Sequence, residues 1–282
     1  MSVIRLPIAL AALALSSQPA LASEAETFPP QRSPQGAPPE GDRVTIGFGL
    51  GLAPDYEGSN DYRLQPGGIF QGKVQGVEFQ MRGLNLYTDF VPDKGKTRLV
   101  LGPVVQLRLD RTGDIKDPRV AVLGTRKTAV ELGLTAGIGK RGVLIPPASV
   151  NFDVTYLHDI NGAHRSYVIT PALSLSSPVS QRSFARLGVS ADYVGKGFAR
   201  TYFDVAPGGP LPAYATRGAG LKSVGTSLLY THDLGGNPRK GWGLFALANY
   251  KRLVGQFADS PIVRDAGSAS QGFAVAGVAY SF

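Results

Sequence analysis

Residues 271–282 read Gln-Gly-Phe-Ala-Val-Ala-Gly-Val-Ala-Tyr-Ser-Phe. Ala274, Ala276, Val278, Tyr280 and Phe282 fall on one face of an extended chain, with Gly277, Ala279 and Ser281 between them. That period of two is the mark of a half-buried strand. The face is graded toward an aromatic end. In a soluble protein such a strand would be an unprotected sheet edge, whereas in a closed barrel it pairs with the first strand. The stretch therefore predicts the closing strand of an outer-membrane β-barrel, with Val278, Tyr280 and Phe282 as its assembly signal.

The other end of the sequence agrees with export. Arg5 precedes a mostly apolar run over residues 8–15, and Ala20-Leu21-Ala22 has the form of a signal-peptidase site, so cleavage is expected between Ala22 and Ser23. The run is too short to span a bilayer, and no later segment offers the ~18 unbroken apolar residues that a membrane helix requires. Residence in a membrane then has to be as a barrel. Residues 23–42, with Pro29-Pro30, Pro34 and Pro38-Pro39, form a linker without a reason to fold, expected in the periplasm. Residues 43–282 are left for the barrel.

Composition narrows the function. The absence of cysteine rules out a disulfide framework and a thiolate metal site. The 36 glycines alternate with Leu, Val and Phe, so they belong to strands. The formal charge is +8, but no Lys/Arg run or aromatic-basic interleaving points to nucleic acid. Arg111, Lys116, Arg119, Arg126 and Lys127 share one long connector, which predicts attraction to outer-leaflet lipid and lipopolysaccharide phosphates.

From Arg43 onward apolar and small or polar residues alternate. Val44, Ile46, Phe48, Leu50 and Leu52 oppose Thr45, Gly47, Gly49 and Gly51, and residues 130–138, 150–156 and 185–193 repeat the pattern. One face is suited to lipid and the other to a lumen. The charges lie on the lumen face: Arg82, Arg108, Glu131, Asp153, Arg186 and Asp192 are the candidate lumen residues. Connectors at 92–96, 140–145, 177–181 and 234–240 are short, while those at 110–126, 194–219 and 253–270 are long. Short turns belong to the periplasm and long loops to the outside. Counting back from Phe282 gives strands near 271–282, 241–252, 220–232, 182–193, 166–176, 148–158, 128–139 and 98–109, preceded by 84–91, 74–82, 62–71 and 43–53. The expected fold is an all-β, antiparallel barrel of about twelve strands, or ten if the segment around Gly83 is one bulged strand. The connector after residue 194 holds Tyr202, Phe203 and Tyr214, and with Lys222 these are candidates for a plug that folds inward.

Several stretches together resemble the MltA-interacting protein MipA/OmpV family: residues 47–66 (GFGLGLAPDYEGSNDYRLQP), 101–111 (LGPVVQLRLDR), 129–134 (AVELGL), Thr201-Tyr202-Phe203-Asp204-Val205, 211–224 (LPAYATRGAGLKSV) and 250–263 (YKRLVGQFADSPIV), then the terminal Phe282. The resemblance implies a non-enzymatic outer-membrane scaffold that brings together a lytic transglycosylase and a murein synthase. It also admits a porin-like role, a narrow channel for small polar solutes. No catalytic residues, cofactor or metal are implied. The residues agree, because the histidines are only His158, His164 and His232. A hydrolase set of His158, Asp159 and Ser166 is disfavoured, since neighbours on a strand point to opposite faces, and Asp55, Glu57 and Asp61 lack a calcium-loop pattern.

Overall fold

In a computed structural model, which describes residues 42–92, 95–143, 147–235 and 240–282, twelve strands close into one antiparallel barrel. They are β1 (Arg43–Pro54), β2 (Tyr62–Val74), β3 (Val77–Arg82), β4 (Asn85–Asp89), β5 (Thr97–Arg108), β6 (Ala129–Arg141), β7 (Ser149–Asp159), β8 (Tyr167–Pro178), β9 (Ser183–Val194), β10 (Gly220–Asp233), β11 (Gly241–Leu253) and β12 (Ser270–Ser281). Each pairs with its sequence neighbours, and β1 pairs with β12. The signal-peptide cleavage point at Ala22 and Ser23, and nearly all of the linker, lie outside the described residues.

The strand count of twelve is the one that the alternation predicts. The two strands around Gly83 are separate: Gly83 takes φ +53°, and β3 and β4 pair from Glu78↔Asp89 to Arg82↔Asn85. One boundary moves. β2 runs on to Val74 and β3 begins at Val77, because Gln75 and Gly76 take φ +50° and +87°, and two successive positive φ values make the tight turn that matches strand twist. The other strand ends fall within one or two residues of those expected.

Side chains divide as the alternation requires. Phe48, Leu50 and Leu64 stand outward, 73%, 62% and 67% exposed, on a surface that the bilayer covers. Closure rests on the β1–β12 seam, registered from Thr45↔Ser281 to Leu52↔Ala274 and extended where Phe282 donates its N–H to Val44 at 2.9 Å. Gly49 and Gly277 face each other there, and a Cβ on Gly49 would stand 2.2 Å from the Ala276 carbonyl oxygen, so only glycine lets these strands approach. Below the seam Trp242, Tyr280 and Phe282 pack edge to face at 5.1 and 4.8 Å, an aromatic girdle of the type that marks a membrane interface.

Because that cluster ties the last strand to its neighbours, deletion of Phe282 or the change Tyr280→Asp is expected to lower sharply the yield of inserted barrel. The check is the heat-modifiable, fast-migrating band of membrane fractions on unboiled gels. An undiminished band in both variants would mean that the aromatic end has no part in assembly.

Candidate functional site: the plugged lumen

The long connectors at the outer end turn into the barrel. Residues 195–219 contain α2 (Lys196–Phe203), which buries Phe198, Ala199, Tyr202 and Phe203 and leaves Lys196 and Arg200 outside. Spacing of i, i+1, i+4 and i+5 puts the four on one side of a helix. They join Phe257 and Val263 from the connector after β11, and meet Tyr87, Val104, Leu157, Val168, Val194 and Leu253 of the wall. Phe203 and Phe257 cross at 5.0 Å, Phe198 and Tyr202 at 4.7 Å. Each buried aromatic of this kind adds about 1.5–3 kcal/mol. A second apolar cluster lies beside it, where Tyr56, Val120 and Val205 meet Leu211, Ile262 and Ala266. The 3-10 turn Gly255–Phe257 and the short helices α1 (Pro118–Ala121) and α3 (Pro261–Arg264) give these connectors their shape.

The C-terminus of α2 is held by side chains from other loops. Arg111 donates to the carbonyls of Tyr202 at 2.6 Å and Thr201 at 3.2 Å, Arg126 donates to Thr201 at 2.8 Å, and Ser260 Oγ donates to Phe203 at 2.7 Å. These carbonyls lack partners within the helix, and the negative end of the helix dipole favours cations. Arg111 takes φ +53° and is 3% exposed. So the basic connector does not turn all its charge to the membrane surface. Arg111 and Arg126 face inward, Lys116 donates to Tyr62 O at 2.6 Å, Arg119 pairs with Asp117 at 2.7 Å, and Lys127 donates to Asn161 O at 2.5 Å.

The lumen charges pair around the plug. Arg108 grips Glu131 with two bonds of 3.2 and 3.0 Å, and His164 Nε2 lies 2.8 Å from the same carboxylate. Lys222 stands 2.6 Å from Glu57 and 3.5 Å from Asp192, and Lys251 is 3.2 Å from Asp192. Thr170 and Ser223 also donate to Asp192, at 2.7 and 3.1 Å. Arg108 and Lys222 both approach the Phe198 ring, each 4.9 Å from its centroid. Burial pushes the Glu57 carboxyl up against the opposing pull of Lys222, and pushes the phenols of Tyr56 and Tyr202 up as well.

Of the candidate lumen residues, Arg108, Glu131, Asp153, Arg186 and Asp192 lie on the inner face and are buried; the side chain of Arg82 lies outside the described residues. Arg108, Glu131 and Asp192 gather around α2. Tyr202 and Phe203 are in the plug core, and Tyr214 packs at its edge, donating its hydroxyl to Gln256 O at 2.7 Å. Lys222 lies in β10, within the strand expected at 220–232. It sits at a bulge where the register with β9 shifts between Leu221 and Ser223, which lets its side chain turn inward. Glu57, Arg111, Arg126 and Lys251 are the partners that sequence reading missed. The hydrolase set does not assemble: His158 is on the outer face, and Asp159 accepts backbone N–H groups of Asn161, His164 and Arg165 at 3.1, 2.7 and 2.7 Å, organising a turn.

Two hollows remain. Under the plug is one of ≈ 40 Å³, lined by Tyr56, Glu57, Asp110, Asn249 and Lys251 among others, with room for a few waters. At the periplasmic end a vestibule of ≈ 100 Å³ is lined by Arg43, Gln71, Arg182, His232 and Phe245 among others.

Comparison with known proteins finds one family and several solved structures similar to the chain. The family described as MltA-interacting protein MipA matches residues 46–282. No curated protein matches. Among solved structures the chain is similar to an anion-selective porin from Comamonas acidovorans, at 10% identity, covering 86% of this chain and 99% of that one with TM-score 0.41. It is also similar to the outer-membrane expressed OmpT of Vibrio cholerae, at 10% identity, 86% and 97% coverage and TM-score 0.35. A FadL homologue of Pseudomonas aeruginosa matches at 10% identity, 85% and 88% coverage and TM-score 0.34.

Gly197 tests the seating of α2, since a Cβ there would stand 2.2 Å from the carbonyl oxygen of His164. Gly197→Val is expected to unseat the helix, exposing residues 204–216 to protease in intact cells and lowering the temperature at which the compact gel band is lost. Arg111→Ala with Arg126→Ala should act the same way, since each charged hydrogen bond contributes about 1.5–3 kcal/mol. Unchanged protease resistance and band stability in both would show that α2 is held by something else.

Proposed function

Because the chain belongs to the MltA-interacting protein MipA family, we propose that it is a scaffold of the outer membrane that holds a lytic transglycosylase, and a murein synthase with it, at the periplasmic face. The observation that favours a scaffold over a channel is the plug. Phe198, Phe203, Phe257 and Val263 are each 0% exposed inside the outer half of the barrel, and three of the charges that would have set ion selectivity, Arg108, Glu131 and Asp192, are engaged in ion pairs. A partner in the periplasm can reach only the inner end: residues 23–42, the short turns and the rim of the vestibule. Lipopolysaccharide contact is a further part of the reading and falls to the outer loops.

The channel reading keeps one support, the vestibule open at the inner end, and it requires α2 to move. Deleting residues 23–42 is expected to weaken binding of a purified lytic transglycosylase to the barrel in nanodiscs while leaving the heat-modifiable band intact. Arg108→Glu, which sets a second carboxylate beside Glu131, is expected to cost about 3–5 kcal/mol of barrel stability and to leave partner binding unchanged in the fraction that still folds. Full binding by the deletion variant, together with an ion selectivity that Arg108→Glu reverses, would overturn the scaffold in favour of the channel.

A further inference from the structure

The wall is incomplete beside β2. β3 and β4 have six and five residues, while the other ten strands have eleven to fourteen. β3 pairs with β2 only from Ile69↔Arg82 to Val74↔Val77. Residues 62–68 of β2 therefore have β1 on one side and no strand on the other, among the described residues. The hydrogen-bond parity identifies which groups are left. Phe282 donates to Val44, so the even residues of β1 bond to β12; Asp55 donates to Asp61, so the odd residues bond to β2. By the same alternation Tyr62, Leu64 and Pro66 turn their backbone groups away from β1, toward the missing strand.

Three features bound the notch. Its upper edge is residues 114–116, which cross to β2 where Lys116 donates to the Tyr62 carbonyl at 2.6 Å and Arg63 donates to Asp114 O at 2.5 Å. Its lower edge is the β3–β4 turn at Gly83, and its far side is β5, bonded to the turn where Leu107 donates to Leu84 O at 3.1 Å. Within it the N–H and C=O of Leu64 and the C=O of Pro66 have no partner among the described residues. Proline at this position removes one donor and opposes addition of another strand. Leu64 is 67% exposed and registers with Leu52 on the lipid-facing side, so the gap lies at membrane depth. Open sheet edges are not tolerated against lipid; irregular backbone at that depth lines water. Behind the edge the lumen face carries two amides: among the described residues Gln65 Nε2 and Gln80 Oε1 are buried without a partner, and Gln80 is 2% exposed.

We propose that this notch is a lateral portal between the outer leaflet and the lumen, and that it admits an amphiphile with an acyl tail and a neutral, hydroxyl- or amide-bearing head. The tail stays in the bilayer beside Leu64, and the head takes the free backbone groups of Leu64 and Pro66 and then the amides of Gln65 and Gln80. Of the described charges at the upper edge, Arg63 and Asp55 are paired with each other, so the groups offered to the head are the backbone and the amides. The portal opens sideways and below the outer loops, so it does not depend on the plug or on a periplasmic partner.

The protein contains no cysteine, so a single introduced thiol reports on one place. In vesicles of phosphatidylcholine, a water-soluble maleimide is expected to label Leu64→Cys about tenfold faster than Leu52→Cys, its cross-strand neighbour on the sealed side. A monoacylglycerol added to the vesicles should slow labelling at the notch in a saturable way, and glycerol should not. If Leu64→Cys does not give the compact gel band, Pro66→Cys against Leu50→Cys is the equivalent pair. Equal rates in the pair would overturn the portal. Fast labelling that monoacylglycerol leaves unchanged, or that glycerol slows equally, would overturn the amphiphile as its ligand.

Discussion

A polypeptide in a bilayer has no water to satisfy its backbone, and that constraint shapes every part of this protein. It forces the chain to close on itself, which makes the β1–β12 seam the decisive contact. Glycine on both sides of that seam, at Gly49 and Gly277, brings the strands together, and the ring cluster of Trp242, Tyr280 and Phe282 fixes the end of the last strand. It also makes the unpaired stretch of β2 notable, because there the wall departs from the rule.

Closure creates a second problem, an interior lined with charge. A water-filled channel would solve it with hydration. Here it is solved by pairing, with Arg108 on Glu131 and Lys222 and Lys251 on Asp192, and by an apolar helix set among those pairs. Buried ion pairs of this kind contribute little net stability, but removing one partner is costly. They act as a locating frame for Phe198, which meets a cation from β5 and another from β10. The plug is then held from the opposite end by Arg111 and Arg126 on the last carbonyls of α2.

The barrel was legible in the sequence because lipid on one side and lumen on the other impose a period of two that no loop imitates. Even the division at Gly83 could be read, as the weaker of the strand breaks. The inward face of Arg108, Glu131 and Asp192 follows from the same alternation. Their partners do not. Arg111 and Tyr202 are 91 residues apart in sequence, and Glu57 reaches Lys222 from a different loop. Connectors have no periodicity from which such meetings could be inferred. The inward turn of Lys222 is hidden for a related reason: a bulge shifts the register by one residue and turns inward a side chain that regular alternation would put outside. Aromatic content alone pointed to the plug, through Tyr202 and Phe203, without showing that a helix carries it.

The central claim is that the lumen is sealed by α2 and its neighbours, so that the protein is built to hold partners and not to pass solutes. Conductance of the purified wild-type barrel in a planar bilayer tests it most directly. The account predicts no steady current at moderate voltage in symmetric salt. A stable open level that scales with salt concentration would contradict it.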